Sequence, residues 1–234
     1  MRVLNISNRL KNISSHIPKG AYFADIGTDH AYLASYVCLQ DKEAKAIASD
    51  INEGPILAAK KTIQKYNLEE QIETRLGSGL DTLLETEGLS AIVIAGMGGS
   101  LIKDILETGK DKLNSVKRLI LQPNLGEYFV REWLMQNGYQ IITEEIMEEN
   151  AKIYEIIVAD RTKDISKRLT EIEILFGPFL LRENSPIFKR KWLERKEKLT
   201  KTIQEMEKAR HVDAGKIYLF RKQLKWIKEV LTNE

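Results

Sequence analysis

Short apolar runs alternate with segments of helical periodicity over the first 160 residues, and this alternation limits the chain to few folds. The predicted strands cover residues 22–26, 46–48, 72–76, 91–95 and 119–121, and a last antiparallel pair covers 140–147 and 152–160. Strands that alternate with helices indicate an α/β fold with a mostly parallel sheet covered on both faces. Such sheets bind ligands beyond the carboxyl ends of their strands, so we expect the loops at those ends to carry the site.

The chain changes character after Asp160. A helical pattern over residues 165–175 is broken by Gly177 and Pro178, and two long helical patterns follow on either side of a turn candidate at 211–215. We therefore divide the chain into an α/β domain, residues 1–160, and a helical coiled-coil extension, residues 161–234. The first part has 17 Lys and Arg against 23 Asp and Glu, and the second has 19 against 11. That asymmetry favours an extension that meets a polyanion, although a solvated helical face would look the same.

The composition excludes several classes of protein. Hydrophobic residues make up 43% of the 234 residues, which is enough for a packed core. No apolar run approaches the roughly 18–20 residues of a membrane span. The single cysteine, Cys38, favours a reducing, cytoplasmic setting and excludes an internal disulfide, and His16, His30 and His211 lack the spacing of metal ligands. We expect no metal and no membrane partner.

The loop after the first strand departs from the glycine-rich fingerprint of dinucleotide-binding proteins. Gly27 is present, but Asp29 fills the position of the second glycine, where a carboxylate would repel a pyrophosphate. Asp25 and Asp29 suit a cationic ligand with few or no phosphates, such as S-adenosylmethionine. Asp50, at the end of the second strand, is placed to accept both hydroxyls of a ribose. His30 is either a catalytic base or, as we favour, a residue that shapes the loop.

The later loops carry small and polar residues. Gly77, Ser78 and Gly79 follow the third strand and either face an adenine or form a plain turn. Ala95, Gly96 and Met97 follow the fourth strand, and Met97 either contacts a target base or fills the core. At the end of the fifth strand, the carboxamides of Gln122 and Asn124 could bind the edge of a base or cap a helix.

Five motifs together resemble the bacterial tRNA (adenine-22-N1)-methyltransferase family, and the similarity covers nearly the whole chain. They are ADIGTDHAYL (24–33), AIASD (46–50), GSGL (77–80), IAGMGG (94–99) and LILQPN (119–124). The resemblance implies a class I methyltransferase Rossmann-like sheet, mostly parallel with one antiparallel strand, followed by a C-terminal coiled-coil hairpin. It implies S-adenosylmethionine as the cofactor and N1 of adenine 22, in the D-loop of tRNA, as the methyl acceptor.

The resemblance also implies roles for residues. The methionine part of the cofactor would lie around Asp25, Gly27, Asp29 and His30, and the ribose would be held by Asp50 and Ile51. Tyr32 and Leu33 are also expected to bind the cofactor. The adenine of the cofactor would face Gly77, Ser78 and Gly79, and the methyl group would face Ala95, Gly96 and Met97. Two positions depart from the family, which more often has an acid in place of Ser78 and often Glu in place of Asp50.

The chemistry needs alignment more than it needs a base. N1 of adenine carries a lone pair that can attack a sulfonium methyl group once the base is exposed. Because the methylated ring becomes cationic, we expect Asp29 to favour the developing charge and Gln122 or Asn124 to orient the base. With Met97 beside the base, these four residues form the predicted catalytic set.

A tRNA substrate also needs basic contacts. Arg9 and Lys11 form a small N-terminal group. A denser group lies in the extension and comprises Lys189, Arg190, Lys191, Arg195, Lys196 and Lys198. We expect a monomer, and a dimer stays open as an alternative.

Three other functions stay open at this point. The same chemistry could act on another RNA base or a small amine. An NAD-dependent oxidoreductase could use the same sheet, although the missing second glycine argues against it. A helical interaction protein with a degenerate nucleotide-binding core would explain the extension but not the glycine-marked loops.

Overall fold

A computed structural model describes residues 4–164, 168–208 and 213–232 of the chain. The chain divides into two compact units, Met1–Arg168 and Leu169–Glu234. The division follows Arg168, whereas the sequence pattern placed it after Asp160; the last strand of the sheet ends at Arg161.

The described residues of the first unit contain a seven-stranded sheet with strand order β3-β2-β1-β4-β5-β7-β6. Strands β1 to β5 are parallel, and β7 runs antiparallel to both of its neighbours. The predicted sheet, mostly parallel with one antiparallel strand, is confirmed. The strands are β1 (Tyr22–Ile26), β2 (Lys45–Asp50), β3 (Ile72–Leu76), β4 (Ala91–Met97), β5 (Arg118–Pro123), β6 (Tyr139–Glu149) and β7 (Lys152–Arg161).

Five α-helices connect and flank these strands in the first unit. Short 3-10 helices follow β3 at Gly79–Thr82 and precede β5 at Lys110–Leu113. The α-helices are α1 (Asn8–Ser15), α2 (Tyr32–Gln40), α3 (Glu53–Tyr66), α4 (Gly99–Thr108) and α5 (Glu127–Gln136).

The central strands form the core because both of their faces are covered. Residues 91–94 of β4 and 119–121 of β5 are buried without alternation, which is the pattern of a parallel sheet between two layers of helices. The chain passes from β1 through β2 to β3 on one side and then returns to β4 on the other side of β1. The crevice between the carboxyl ends of β1 and β4 is therefore the switch point where such sheets bind ligands.

The second unit is helical. It contains α6 (Glu171–Phe176), α7 (Pro178–Glu183), α8 (Pro186–Lys208) and α9 (Ala214–Thr232). Arg221 of α9 lies 2.7 Å from Glu207 near the end of α8, as expected for the predicted antiparallel hairpin. The buried residues Leu199 and Ile203 of α8 and Ile217 and Ile227 of α9 form its seam.

Two details of the sequence prediction for this unit are wrong. The first helix begins at Glu171 rather than at 165, because the Thr170 side chain caps it in a reciprocal pair with Glu173; Ile165 lies outside the described residues. The predicted turn at 211–215 extends too far, because Gly215 lies inside α9 and the Asp213 carboxylate accepts a hydrogen bond from the Lys216 backbone at 2.9 Å. His211 lies outside the described residues.

Across the part of the chain that the structure describes, no helix is both long enough and apolar enough to cross a membrane.

Candidate active site

The loop after β1 lies in the crevice, held by backbone contacts. The amides of Gly27 and Thr28 both donate to the Ser49 carbonyl of β2 at 2.8 Å. Gly27 has φ +74°, and a Cβ atom there would lie 2.0 Å from Cε of Met97. The loop therefore needs glycine for its conformation, whereas the terminal methyl group of Met97 belongs to a flexible side chain and could move away from a larger residue.

The Asp25 carboxyl is buried at the end of β1 and accepts a hydrogen bond from the Thr28 hydroxyl at 2.7 Å. Burial raises its pKa from the ordinary value of 3.8 to about 6, while the Thr28 hydrogen bond and the positive charge of Arg9 act in the opposite direction. A carboxyl with this pKa is mostly ionised at neutral pH, and a cationic ligand would stabilise its negative charge. Sequence reasoning missed Thr28.

Asp29 and His30, which lead into α2, are more exposed than Asp25. The Asp29 side chain is 84% exposed and lies 3.3 Å from the His30 imidazole. His30 and Ala31 both have left-handed backbone conformations, and the His30 ring stacks on the Tyr32 ring with centroids 5.1 Å apart. His30 thus belongs to the turn before α2, and the favoured role of shaping the loop stays a prediction. The Leu33 side chain is packed in the hydrophobic core, so only its backbone is available to a ligand.

Asp50 is the last residue of β2. One of its carboxylate oxygens accepts hydrogen bonds within the protein, and the other is available to a ligand. Its Oδ1 accepts from the backbone and the side-chain amide of Asn52 at 2.7 and 3.1 Å. Within the described residues, its Oδ2 has no hydrogen-bond partner, which fits a carboxylate that accepts ribose hydroxyls. Ile51 beside it is 64% exposed. The sequence analysis did not identify Asn52. An Asp side chain that accepts a hydrogen bond from the backbone amide two residues further on is nevertheless a known turn pattern.

The loop after β3 is tied to Asp50. The Gly77 amide donates to the Asp50 carbonyl at 3.0 Å, and the exposed Ser78 precedes the 3-10 helix that begins at Gly79. This brings the predicted adenine-facing loop beside the predicted ribose-binding residue.

The end of β4 is irregular in a way that the sequence did not predict. Ala95 pairs with Gln122 and Met97 pairs with Pro123, so Gly96 is an extra residue that bulges out of the ladder. Its φ of +80° explains why glycine is needed there. The bulge is held from β5, since the Asn124 side chain donates to the Gly96 carbonyl at 2.6 Å and the Asn124 amide donates to the Met97 carbonyl at 2.7 Å.

Gln122 and Asn124 differ in what they present to a ligand. The Gln122 carboxamide is buried, accepting from Arg9 at 2.6 Å and donating to the Pro123 carbonyl and the Asn124 side chain at 3.0 and 3.3 Å. It is therefore not available to the edge of a base, contrary to the sequence-based expectation. Asn124 is exposed at the same edge of the sheet.

Arg9 also differs from its expected place. The sequence grouped it with Lys11 as a surface contact for RNA, yet its guanidinium lies among the β4 and β5 loops, hydrogen-bonded to Gln122. Lys11 is exposed on the same helix. The local sequence could not predict this position of Arg9, because its hydrogen-bond partner Gln122 lies 113 positions away along the chain.

The six residues of the extension that were predicted to bind RNA all lie on α8. Arg190, Arg195 and Lys198 are exposed, whereas Lys189, Lys191 and Lys196 are half-buried, with the Lys191 ammonium 5.6 Å from the centre of the Trp192 ring. Lys191, Arg195 and Lys198 follow the spacing i, i+4, i+7 and therefore share one stripe of the helix.

Among residues 4–164, 168–208 and 213–232, no group of three or more His, Cys, Asp or Glu side chains could hold a metal ion. The site of the first unit thus consists of carboxylates, carboxamides and glycine turns at one edge of a sheet. This chemistry fits a nucleoside that carries positive charge.

The sequence is similar to a family of tRNA-modifying enzymes over nearly its whole length. A family model described as tRNA (adenine(22)-N(1))-methyltransferase matches residues 23–229. The tRNA (adenine(22)-N(1))-methyltransferase of Bacillus subtilis is 40% identical over 236 residues, which cover 99% of each chain.

Solved structures agree with this result. A putative tRNA (m1A22) methyltransferase of Streptococcus pneumoniae, in complex with S-adenosylmethionine, has a TM-score of 0.87 and 40% identity over 97% of this chain and all of its own. The M. capricolum TrmK structure, in complex with S-adenosyl-homocysteine, has a TM-score of 0.84 and 27% identity over 97% of both chains.

Proposed function

The chain belongs to the tRNA (adenine(22)-N(1))-methyltransferase family, and on that premise we propose how its residues carry out the reaction. The enzyme transfers the methyl group of S-adenosylmethionine to N1 of adenine 22 in tRNA. The observation that carries this conclusion is the family match over residues 23–229, which includes every loop of the site.

The cofactor lies along the carboxyl ends of β1 to β4 in this proposal. Asp25 and the backbone of the loop at 27–33 hold its methionine part, Asp50 accepts the ribose hydroxyls and Ser78 faces the adenine. The available oxygen of Asp50 and the buried carboxyl of Asp25 support this arrangement. Ala95, Gly96 and Met97 then lie beside the methyl group.

Bound S-adenosylmethionine supplies an electrophilic methyl group, which the lone pair of adenine N1 takes while the electrons of the S–C bond stay on sulfur. No proton has to leave N1 first, so the residues serve to align and to stabilise charge. The buried Asp25 is the stronger candidate for charge stabilisation, because a buried charge is screened less than the exposed Asp29. The predicted role of Asp29 stays a prediction.

Asn124 orients the acceptor base in this proposal. Its exposure, and its hydrogen bonds to the Gly96 bulge, support a role at the edge of the adenine. Gln122 acts behind it, since its carboxamide is buried and bonded to Asn124. Met97 closes the crevice against Gly27.

The two parts of the chain divide the work. Residues 1–160 bind the cofactor and carry out the transfer, and residues 161–234 hold the tRNA through the basic residues of α8. The charge of that helix supports the second role, since phosphate contacts come chiefly from Lys and Arg. As part of the same proposal, the enzyme works as a monomer in the cytoplasm, where its tRNA substrate is found.

Methyl transfer to defined transcripts tests the assignment. Incubation with labelled S-adenosylmethionine should place one methyl group on an unmodified tRNA that has adenine at position 22. A matched transcript with guanine at that position should accept none. Equal labelling of both transcripts would contradict the proposed target, and labelling of neither would contradict the activity.

A further inference from the structure

Helix α1 is anchored at its first residues to the far strand of the sheet. The Ser7 hydroxyl accepts from the Leu10 amide at 3.2 Å and caps the helix. The Asn8 and Arg9 amides donate to the Glu149 carboxylate at the end of β6, at 2.7 and 3.4 Å. A carboxylate at a helix N-terminus is favourable, so these contacts fix the point from which the Arg9 side chain extends.

The Arg9 guanidinium is held on two sides. Its Nη1 donates to Oε1 of Gln122 at 2.6 Å, and its Cζ lies 5.3 Å from the centre of the Tyr154 ring on β7. A guanidinium that lies over an aromatic ring and donates to a buried carboxamide is constrained by two partners within the protein, unlike a side chain that extends into solvent to contact phosphate.

The contacts of Arg9 continue into the acceptor loops. Gln122 donates to the Asn124 side chain, and Asn124 in turn donates to the carbonyl of the Gly96 bulge. The charge of Arg9 also acts on the carboxyl of Asp25 across the crevice. One side chain from outside the sheet is therefore linked to both the acceptor loops and the donor loop.

We propose that Arg9 is a positioning residue for methyl transfer, which acts through Gln122 to hold Asn124 and the Gly96 bulge where the acceptor adenine is bound. This inference rests on the proposed function of the site. It assigns to Arg9 an effect on the rate of the bound complex, whereas a phosphate contact would affect tRNA affinity alone.

Lys11 provides the matched control, because it lies on the same helix, two residues further on, and is exposed. Arg9→Met should lower kcat about tenfold to a hundredfold at saturating tRNA and cofactor, the size of effect that small misplacements cause. It should leave the salt dependence of tRNA binding unchanged. Lys11→Met should instead raise KM and reduce the slope of log K against log salt by about one, with kcat retained.

A double-mutant cycle identifies the route of the effect. If Arg9 acts through Gln122, then Gln122→Met alone should lower kcat, and the pair Arg9→Met with Gln122→Met should lower it no further than the stronger single change. Arg9→Lys, which keeps the charge but loses the planar guanidinium, should recover only part of the rate. Thermal unfolding and cofactor affinity of each variant show whether it is folded, and Gln122→Met tests the proposal even if Arg9→Met does not fold.

A wild-type kcat for Arg9→Met with a reduced salt slope would overturn the proposal and return Arg9 to a phosphate contact. Strictly additive effects of Arg9→Met and Gln122→Met would also overturn it. Failure of the wild-type enzyme to methylate tRNA would instead contradict the proposed function, so the two failures are distinguishable.

Discussion

The carboxyl group of Asp25 is buried near the end of β1, and we expect this burial to make the site sensitive to pH. Its pKa is raised to about 6, so the folded protein holds this proton more tightly than the unfolded chain does. The ionisation of this buried carboxyl costs no stability below about pH 4 and up to about 3 kcal/mol above pH 6, from 1.36 kcal/mol per unit of pKa shift. The preference of the folded state for the protonated Asp25 carboxyl therefore contributes fully to stability at low pH, and this contribution is lost as the pH rises through 6.

The cofactor should show the opposite dependence, because a cationic ligand prefers the ionised carboxylate. We expect S-adenosylmethionine affinity, measured by calorimetry, to fall as the pH decreases from 7 to 5 with a midpoint near 6. Asp25→Asn should bind more weakly at pH 7.5 and lose this dependence, while its unfolding free energy without ligand should rise.

Asp29→Asn is the control, since Asp29 belongs to the same loop and is 84% exposed. Solvent screens its charge, so we expect it to keep the pH dependence of the wild type. A wild-type affinity that is flat between pH 5 and 8 would show that Asp25 does not face the cofactor.

The residues that the sequence located well are those at strand ends. Asp25, Asp50 and Asn124 could be placed at one edge of the sheet because the carboxyl ends of parallel strands meet there, whatever the conformation of the loops, and their roles stay predictions. Arg9 and Gln122 could not, because their contact joins segments 113 positions apart. Nothing in local spacing distinguishes a surface arginine from one that reaches into a site.

At the scale of elements, the strands were predictable and the departures from regularity were not. The apolar run at 91–95 identified β4, but the bulge at Gly96 depends on the register with β5. The start of α6 was within reach of sequence reasoning, since Thr170 and Glu173 have the spacing of a capping box.

A buried ionic group joins helix α5 to strands β6 and β7, and the sequence gives no sign of it. Arg131 donates to Glu144 at 2.7 Å and to Glu155 at 2.6 Å, with all three side chains buried. Arg131→Met should lower the unfolding free energy by about 3–5 kcal/mol, because it leaves two buried carboxylates without this partner. Chemical denaturation measures the loss.

The matched control is Arg118, which forms a two-pronged pair with Asp160 at 2.7 and 2.8 Å but is partly exposed. Arg118→Met should cost only about 1 kcal/mol, as is usual for exposed pairs. Similar losses for the two variants would mean that burial does not determine the strength of the group at Arg131.

At the scale of the whole molecule, the stripe formed by Lys191, Arg195 and Lys198 on α8 should contribute to tRNA affinity and should not affect the rate of methyl transfer. Changing Lys191, Arg195 and Lys198 together to Gln should weaken tRNA binding and reduce the salt slope by up to about 3, one for each lost phosphate contact. We expect unchanged cofactor affinity and an unchanged kcat at saturating tRNA. Fluorescence titrations at several salt concentrations measure the slope.

Three lysines that are remote from the carboxyl ends of the strands provide a control with the same loss of charge. Lys45 begins β2, Lys117 precedes β5, and Lys110 lies in the 3-10 helix before it, all three exposed and remote from the carboxyl ends of the strands. Neutralising them should leave tRNA affinity unchanged. Equal losses in the two triple variants would assign the effect to net charge rather than to α8.

The most direct test of the central claim is the identity of the methylated atom. In the proposed mechanism the residues at the sheet edge align a lone pair without first removing a proton, which favours attack by the ring nitrogen N1. Mass spectrometry of nucleosides and fragments, after reaction of unmodified tRNA with S-adenosylmethionine, should find 1-methyladenosine at position 22. N6-methyladenosine, or a methyl group at any other position of the tRNA, would contradict the account.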